Sequence, residues 1–322
     1  MKLIIPIVLF IVIYLIIEFF YLWYLNKNIS NKKFTDNGNS ILIVYGDSIN
    51  LFRLVETYIE SNILDNIHNK YQTMNILNFK KNMDKIDKNT IILFWNSDVI
   101  SLDKTFCKEV IRHFPFTNAS YNINNYYKDE YTKLSNYQLE TITKNNTSFE
   151  KNNFFKNFIN KEIIIKDKNG SESRNIKTSI LKYPSQLDSL TDIQYITPFI
   201  NNSSVIEIGV IKSLSGNIYF SDMKLWKNHY KTIEKNNKRF KKVLELFNNE
   251  LIKQNIQNDI LNIIKQMEKK FGIIRFEYIY SHSDKSYYFI DMADSPTACK
   301  YSMLYNLFNV NSADEIFNII FS

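Results

Sequence analysis

Two segments of alternating apolar and polar residues near the C-terminus constrain the fold more than any other part of this sequence. They are GIIRFEYIY (residues 272–280) and KSYYFIDMAD (residues 285–294), and the polar tetrapeptide SHSD joins them. Alternation with a period of two predicts β-strands, and so short a polar connection predicts an antiparallel hairpin. The second half of the chain is therefore expected to build a sheet around this hairpin.

Outside the SHSD connection, the two strand segments carry one arginine and three carboxylates. Arg275 and Glu277 are two residues apart on one strand, so their side chains are expected on the same face. Asp291 lies near the end of the partner strand, and Asp294 follows just before Ser295-Pro296. Such an oxygen-rich edge suits Mg²⁺, which binds through one or two carboxylates and nucleotide phosphates. Alternatively, the charges simply mark the solvated face of the hairpin.

The pattern of apolar runs in residues 40–115 predicts a small α/β unit. The apolar runs ILIVYGD (41–47), MNILNF (74–79) and TIILFWNSD (90–98) predict strands, and INLFRLVETYIESNI (49–63) predicts a helix between them. Strands that alternate with a helix favour parallel pairing. The YGDS sequence is neither a dinucleotide fingerprint nor a Walker loop.

After residue 115, the sequence predicts several strands, then a helix, and then the hairpin. This order of elements is typical of an α+β fold. After a loop with short helical pieces at 116–150, strands are expected at KEIIIKD (161–167), DIQYITPFI (192–200), SVIEIGVI (204–211) and NIYFSDMKLW (217–226). Apolar residues at helical spacing predict a helix over about 231–270; they include Val243, Leu244, Phe247, Leu251 and Ile252.

Lys166 ends an apolar strand and is followed by the polar, glycine-containing stretch KNGSESRN (168–175). A lysine beside a flexible loop whose backbone N–H groups are accessible is suited to bind phosphate. The alternative is a strand that ends in a solvated turn.

Residues 3–25 are apolar except for Glu18 and several tyrosines, and about 20 such residues span a bilayer as a helix. A cleaved signal peptide would have a shorter apolar core and a small-residue cleavage site. We therefore expect an uncleaved single-pass anchor within residues 1–33. The positive-inside rule places the C-terminal body in the cytoplasm, because three lysines follow the apolar stretch: Lys27, Lys32 and Lys33.

The composition disfavours nucleic-acid and zinc binding. The net charge of +7 is spread along the chain without a dense basic block. Neither cysteine, Cys107 or Cys299, has a metal-binding spacing, and the four histidines lie far apart.

The hairpin resembles the C-terminal core of the ATP-grasp superfamily, where Arg-x-Asp is followed by Glu-x-Asn near a proline. The order of the other segments is similar too. EIIIKD resembles the strand whose lysine holds the nucleotide phosphates, KNGSESRN the mobile loop, DIQYITPFI the hinge strand and VIEIGVI the strand after it. Asp291 and Asp294 depart from the usual Glu-x-Asn, but resemble the acid-x-x-Asp arrangement of some bacterial, phage and viral members.

This resemblance implies a two-lobed ATP-grasp fold over residues 116–322. Together with the small α/β domain and the N-terminal transmembrane helix predicted above, the chain is expected to be an α+β protein. The resemblance also implies ATP and Mg²⁺ as cofactors. The implied nucleotide-binding residues are Lys166, Gly170, Ser171, Ser173, Gln194, Tyr195, Ile196 and Glu207. Arg275, with Lys166, would be catalytic, and Glu277, Asp291 and Asp294 would bind the metal.

The implied reaction is ligation. A carboxylate is activated as an acyl phosphate and is then attacked by an amine or a thiol, neither substrate being identified. Gly209 stands where the family often has an arginine, so the alternative is a catalytically degenerate domain that acts as a membrane-tethered binding or scaffold protein.

Overall fold

The computed structural model describes residues 41–45, 71–95, 104–119, 132–167, 177–226, 244–267, 271–293, 307–310 and 312–322. These residues divide between two compact units, one up to Ala119 and one from residue 132 onward. The anchor predicted at residues 3–25 lies outside the described ranges, and within those ranges no helix is long and apolar enough to span a bilayer. The predicted division of the chain at residues 33 and 115 stays a prediction.

The first unit contains a three-stranded parallel sheet. Its strands are β1 (Ile41–Tyr45), β2 (Gln72–Asn75) and β3 (Ile91–Phe94), in the order β2-β1-β3. The helices α1 (Ile76–Asn82) and α2 (Lys104–His113) contribute to its apolar core. The parallel pairing predicted from the sequence is confirmed.

The segment MNILNF, predicted as a strand, changes conformation in its middle. Strand β2 ends at Asn75, and α1 begins at Ile76. Ile76 and Phe79 are three residues apart, and both are buried, with 3% and 0% of their surfaces exposed. That spacing puts both side chains on one face of a helix, so packing against the core favours the helix over a continued strand.

The second unit contains a small antiparallel sheet. Its strands are β4 (Ile142–Thr143), β5 (Glu162–Asp167), β6 (Lys177–Ile180) and β7 (Gln194–Pro198), in the order β4-β7-β5-β6. Helix α3 (Ser148–Phe158) begins with a capping box between Thr147 and Glu150 and buries Phe154 in the sheet's core. A short helix, α4 (Ser185–Asp188), follows β6.

The second unit also contains a larger antiparallel sheet, in the order β11-β10-β8-β12-β13, with β9 paired to β8. The strands are β8 (Ser203–Lys212), β9 (Ile218–Phe220), β10 (Lys224–Trp226), β11 (Leu244–Leu246), β12 (Gly272–Ser281) and β13 (Tyr287–Ala293). One face packs against helix α5 (Glu250–Gln266) through even-numbered strand residues such as Ile206, Ile208, Phe276 and Tyr278. Odd-numbered residues of β8 and β12 therefore occupy the opposite face, which we call the site face.

Only part of the helix predicted over about 231–270 lies in the described residues, and within residues 244–267 the helix is confined to Glu250–Gln266. Asn249 caps α5 by accepting a hydrogen bond from the Ile252 backbone N–H, and residues 244–246 form the edge strand β11 instead. Leu251 is 69% exposed, while Ile256 and Ile260 are fully buried. A short polar N-cap thus starts the helix later than the apolar spacing suggested.

The hairpin of β12 and β13 is confirmed, and NIYFSDMKLW forms two short strands, β9 and β10, rather than one. Ser221 lies between these two strands. Its hydroxyl accepts a hydrogen bond from the Gly209 backbone N–H, and its own N–H donates to the Gly209 carbonyl. Ser221 therefore breaks the regular ladder at this point. Helix α6 (Ala313–Phe321) ends the described chain.

Candidate active site

Four charged residues form one row across the site face of the larger sheet. Glu277 on β12 pairs in register with Glu207 on β8 and with Asp291 on β13. Lys224 on β10 extends the row on the other side of Glu207. Side chains directly opposite each other on antiparallel strands point to the same face. The sheet therefore brings together residues that are up to 84 positions apart in a single row.

Arg275 lies beside this row and contacts two of its carboxylates. Its Nε is 3.2 Å from Oε1 of Glu207, and its Nη2 is 3.3 Å from Oε1 of Glu277. The Arg275 side chain is 14% exposed and that of Glu207 is 0% exposed. This burial argues against the alternative in which the charges only mark a solvated face.

Glu277 and Asp291 have the chemistry of an Mg²⁺ site. They are register partners, the Glu277 side chain is 23% exposed, and Asp291 is partly buried. Two accessible carboxylates match the protein share of a typical Mg²⁺ site, where phosphates and water supply the other oxygens. Asp294 lies outside the described residues, and the described ranges contain no group of three acidic, histidine or cysteine side chains placed to hold a metal.

The smaller sheet carries the other predicted nucleotide-binding residues. Lys166 on β5 and Tyr195 on β7 are register partners, and the lysine Nζ lies 5.9 Å from the centre of the tyrosine ring. Gln194 pairs with Asp167 at the end of the same ladder. The Ile196 side chain lies on the opposite face, buried in the core with α3. The loop residues Gly170, Ser171 and Ser173 lie outside the described ranges.

Lys224 was not predicted from the sequence as a residue of the candidate site. Its neighbours Met223 and Leu225 pack in the core against α5, so Lys224 points to the site face, where its Nζ is 3.5 Å from Oδ2 of Asp222. The alternation of Met223, Lys224 and Leu225 could have identified this orientation. It could not show that Glu207 would be the residue opposite.

A second overlooked residue is Phe308, which packs over Gly209. A Cβ atom at Gly209 would lie 2.6 Å from Cε2 of Phe308, so the ring occupies the space of a side chain there. Nothing in the local sequence around either residue indicates this contact.

No protein-family model matches this sequence, and no curated protein matches it. Solved structures do match. D-alanyl-alanine synthetase A from Vibrio cholerae has a TM-score of 0.60 at 11% identity, with 88% of this chain and 98% of that chain covered. Carboxyaminoimidazole ribonucleotide synthase from Aspergillus clavatus, complexed with ATP, has a TM-score of 0.53 at 13% identity, with 80% and 70% covered.

Biotin carboxylase from Campylobacter jejuni has a TM-score of 0.58 at 10% identity, with 87% of this chain and 70% of that chain covered. All three are ATP-grasp enzymes. At these identities the likeness concerns the fold, and it agrees with the fold expected from the hairpin. The chain has the ATP-grasp fold.

Proposed function

We propose that this ATP-grasp protein is a membrane-anchored, ATP-dependent ligase that joins a carboxylate to an amine or a thiol. The observation that carries the proposal is the pairing of Glu277 with Asp291, with Arg275 in contact with Glu277, on one sheet face. The names of the solved neighbours support it, because they include a D-alanyl-alanine synthetase and a synthase complexed with ATP.

Glu277 and Asp291, together with Asp294, would hold Mg²⁺, and Lys166 would bind phosphate oxygens as a point charge. Arg275 would contact the phosphate that is transferred, since a guanidinium offers several donors in a fixed geometry. Mg·ATP would supply the phosphoryl group that turns the carboxylate into an acyl phosphate, with release of ADP. The amine or thiol would then attack the acyl carbon and release inorganic phosphate. The protein would contribute positioning and charge stabilisation.

The adenosine would lie near the Lys166 face of the smaller sheet. Tyr195 shares that face with Lys166 and would line the adenine pocket, with Gln194 beside it at the end of the ladder. The backbone of Ile196 is paired with both β4 and β5 and its side chain is buried in the core, so Ile196 is not proposed to contact the nucleotide. The loop with Gly170, Ser171 and Ser173 would close over the phosphates with backbone N–H and hydroxyl donors.

A thermal-shift titration of the full-length chain in detergent tests this proposal. Mg·ATP at a hundredfold excess over its dissociation constant should raise the free energy of unfolding by about 2.7 kcal/mol. Asp291→Asn and Lys166→Met should remove this stabilisation while the variants stay folded. Matched controls are Asp192→Asn, whose side chain is 75% exposed, and Lys177→Met on the edge strand β6. A wild-type chain that does not respond to Mg·ATP would refute the proposal.

The second candidate is a catalytically degenerate ATP-grasp domain that acts as a membrane-tethered binding or scaffold protein. The packing of Phe308 over Gly209 favours it, because the ring fills the place where the family often has an arginine. This candidate predicts a folded chain whose melting temperature is the same with and without Mg·ATP.

Membrane attachment by residues 3–25, with the body in the cytoplasm, is a further part of the proposal. Its basis is the length and hydrophobicity of that stretch and the lysines that follow it. A chain that lacks residues 1–33 should appear in the soluble fraction, while the full-length chain should resist carbonate extraction from membranes. Extraction of the full-length chain by carbonate would refute the anchor.

A further inference from the structure

Glu207 is a completely buried carboxylate in the middle of the site face. None of its surface is exposed, and its Oε1 lies 3.2 Å from Nε of Arg275. Such a position fits poorly with the direct nucleotide contact that the ATP-grasp resemblance implies for Glu207, because a nucleotide could reach the carboxylate only if the site opened. A buried carboxylate needs a charged or hydrogen-bonding partner, and Arg275 supplies a charge.

Two residues of the C-terminal segment, Leu307 and Phe308, pack on either side of Glu207, and we call them the cover. Val205, Glu207 and Gly209 lie on the same face of β8, two residues apart in turn. Leu307, which is 1% exposed, packs against Val205, while the ring of its neighbour Phe308 lies against Gly209. Leu307 and Phe308 therefore contact β8 on both sides of Glu207.

Two features hold this cover in place. The Asp222 backbone N–H donates a hydrogen bond of 3.1 Å to the Leu307 carbonyl, which ties the segment to the turn before β10. At Gly209, a Cβ atom would lie 2.6 Å from one ring carbon of Phe308 and 2.9 Å from another. A glycine at this position is therefore what allows the ring to approach the sheet.

We propose that Glu207 is a positioning residue for Arg275 and that Leu307 and Phe308 shield this ion pair from water. Glu207 contacts the guanidinium at Nε, while Nη2 lies 3.3 Å from Oε1 of Glu277, one of the proposed metal ligands. A guanidinium held at its Nε is restrained in orientation, and exclusion of water strengthens the restraint. The inference rests on the proposed function, because the role that it assigns is to aim Arg275 at the terminal phosphate of ATP.

The test compares the dissociation constants of Mg·ATP and Mg·ADP for the full-length chain. A correctly placed Arg275 contacts the terminal phosphate that only ATP has, and a charge-assisted hydrogen bond of this kind corresponds to a preference of about tenfold or more. Arg275→Gln should bring the preference close to one. Glu207→Gln should reduce it by about fivefold or more and leave the affinity for Mg·ADP within about threefold of wild type.

This ratio separates positioning from a merely structural role, since general loosening of the fold would weaken ATP and ADP binding alike. The matched control is Glu140→Gln, an exposed glutamate, which should behave like wild type. Gly209→Ala disturbs the cover without changing any charge, and it should also lower the ATP preference. It replaces Glu207→Gln in the test if the latter does not fold.

The outcomes distinguish the inference from the proposed function. A wild-type chain that binds neither nucleotide would refute both. A clear wild-type preference for ATP that survives Glu207→Gln, or Gly209→Ala where Glu207→Gln does not fold, would overturn only the positioning role. Retention of the preference in Arg275→Gln would overturn the inference as well, because Arg275 would then not be the group that recognises the terminal phosphate.

Discussion

Asp259 illustrates what one buried charged residue contributes to this fold. Only 1% of its surface is exposed, and its carboxylate accepts three hydrogen bonds: from the Ser135 hydroxyl at 2.5 Å, the Asn136 backbone N–H at 2.7 Å and the Tyr278 hydroxyl at 2.8 Å. Burial, together with the nearby Asp259 carboxylate, raises the pKa of Tyr278 well above its ordinary value, so the tyrosine stays protonated and donates. Asp259 thereby joins α5, β12 and the chain segment that leads into β4.

Removal of this carboxylate should destabilise the second unit strongly. Asp259→Ala leaves the buried hydroxyls of Ser135 and Tyr278, and the partly buried Asn136 N–H, without their acceptor. We expect a loss of about 3 kcal/mol in the free energy of unfolding. Tyr278→Phe removes only one donor and should cost about 1 kcal/mol. Urea denaturation of both variants measures the difference. Equal losses for the two would show that the carboxylate does not organise this cluster.

At the scale of secondary-structure elements, the β12–β13 hairpin positions the proposed metal ligands. Its register shifts between Glu277 and Tyr278, and this irregularity sets Glu277 opposite Asp291. In the connecting turn, Oδ1 of Asp284 accepts hydrogen bonds from the Ser286 backbone N–H at 3.1 Å and from its hydroxyl at 2.6 Å. Side-chain hydrogen bonds from Ser281 and Ser286 lower the pKa of Asp284 to about 2.

The turn should therefore contribute a pH-dependent part of the stability. Because the pKa of Asp284 is lower in the folded chain than the value of about 3.9 in an unfolded one, its contribution is present above about pH 4 and disappears as the pH falls toward 2. Asp284→Asn removes this group. Between pH 5 and pH 2.5, the free energy of unfolding should fall less for Asp284→Asn than for wild type, as measured by denaturant titration at each pH. Equal falls would contradict the assignment.

At the scale of the whole molecule, all of the described candidate site residues belong to the second compact unit. The parallel sheet of the first unit has its own apolar core, which contains Phe79, Phe94 and Val110. Nucleotide binding at the proposed site should therefore stabilise the two units unequally.

Hydrogen exchange measured by mass spectrometry tests this expectation. Addition of Mg·ATP should slow amide exchange in peptides from β5, β7, β8, β12 and β13, because bound ligand suppresses local opening of the elements that it contacts. Peptides from β1, β2 and β3 should exchange at the same rate with and without nucleotide. Protection confined to the first unit would contradict the placement of the nucleotide.

Local periodicity in the sequence determined several parts of this protein. The alternation in residues 272–294 predicted the hairpin, and the two-residue spacing of Arg275 and Glu277 predicted their shared face. The order of apolar runs predicted the parallel sheet of the first unit. These features depend on neighbours within a few positions along the chain, so the pattern of side chains is sufficient to predict them.

Only the tertiary structure decided which residues meet at the site face. Strand register brings Glu207 and Lys224 into the row of four charged residues, and Phe308 packs against Gly209, 99 positions away in the sequence. Helix α5 starts directly after its capping residue, Asn249, although the spacing of apolar residues predicted an earlier start. Strand register and long-range packing arise from the free energy of the whole sheet and its core, and no local periodicity carries that information.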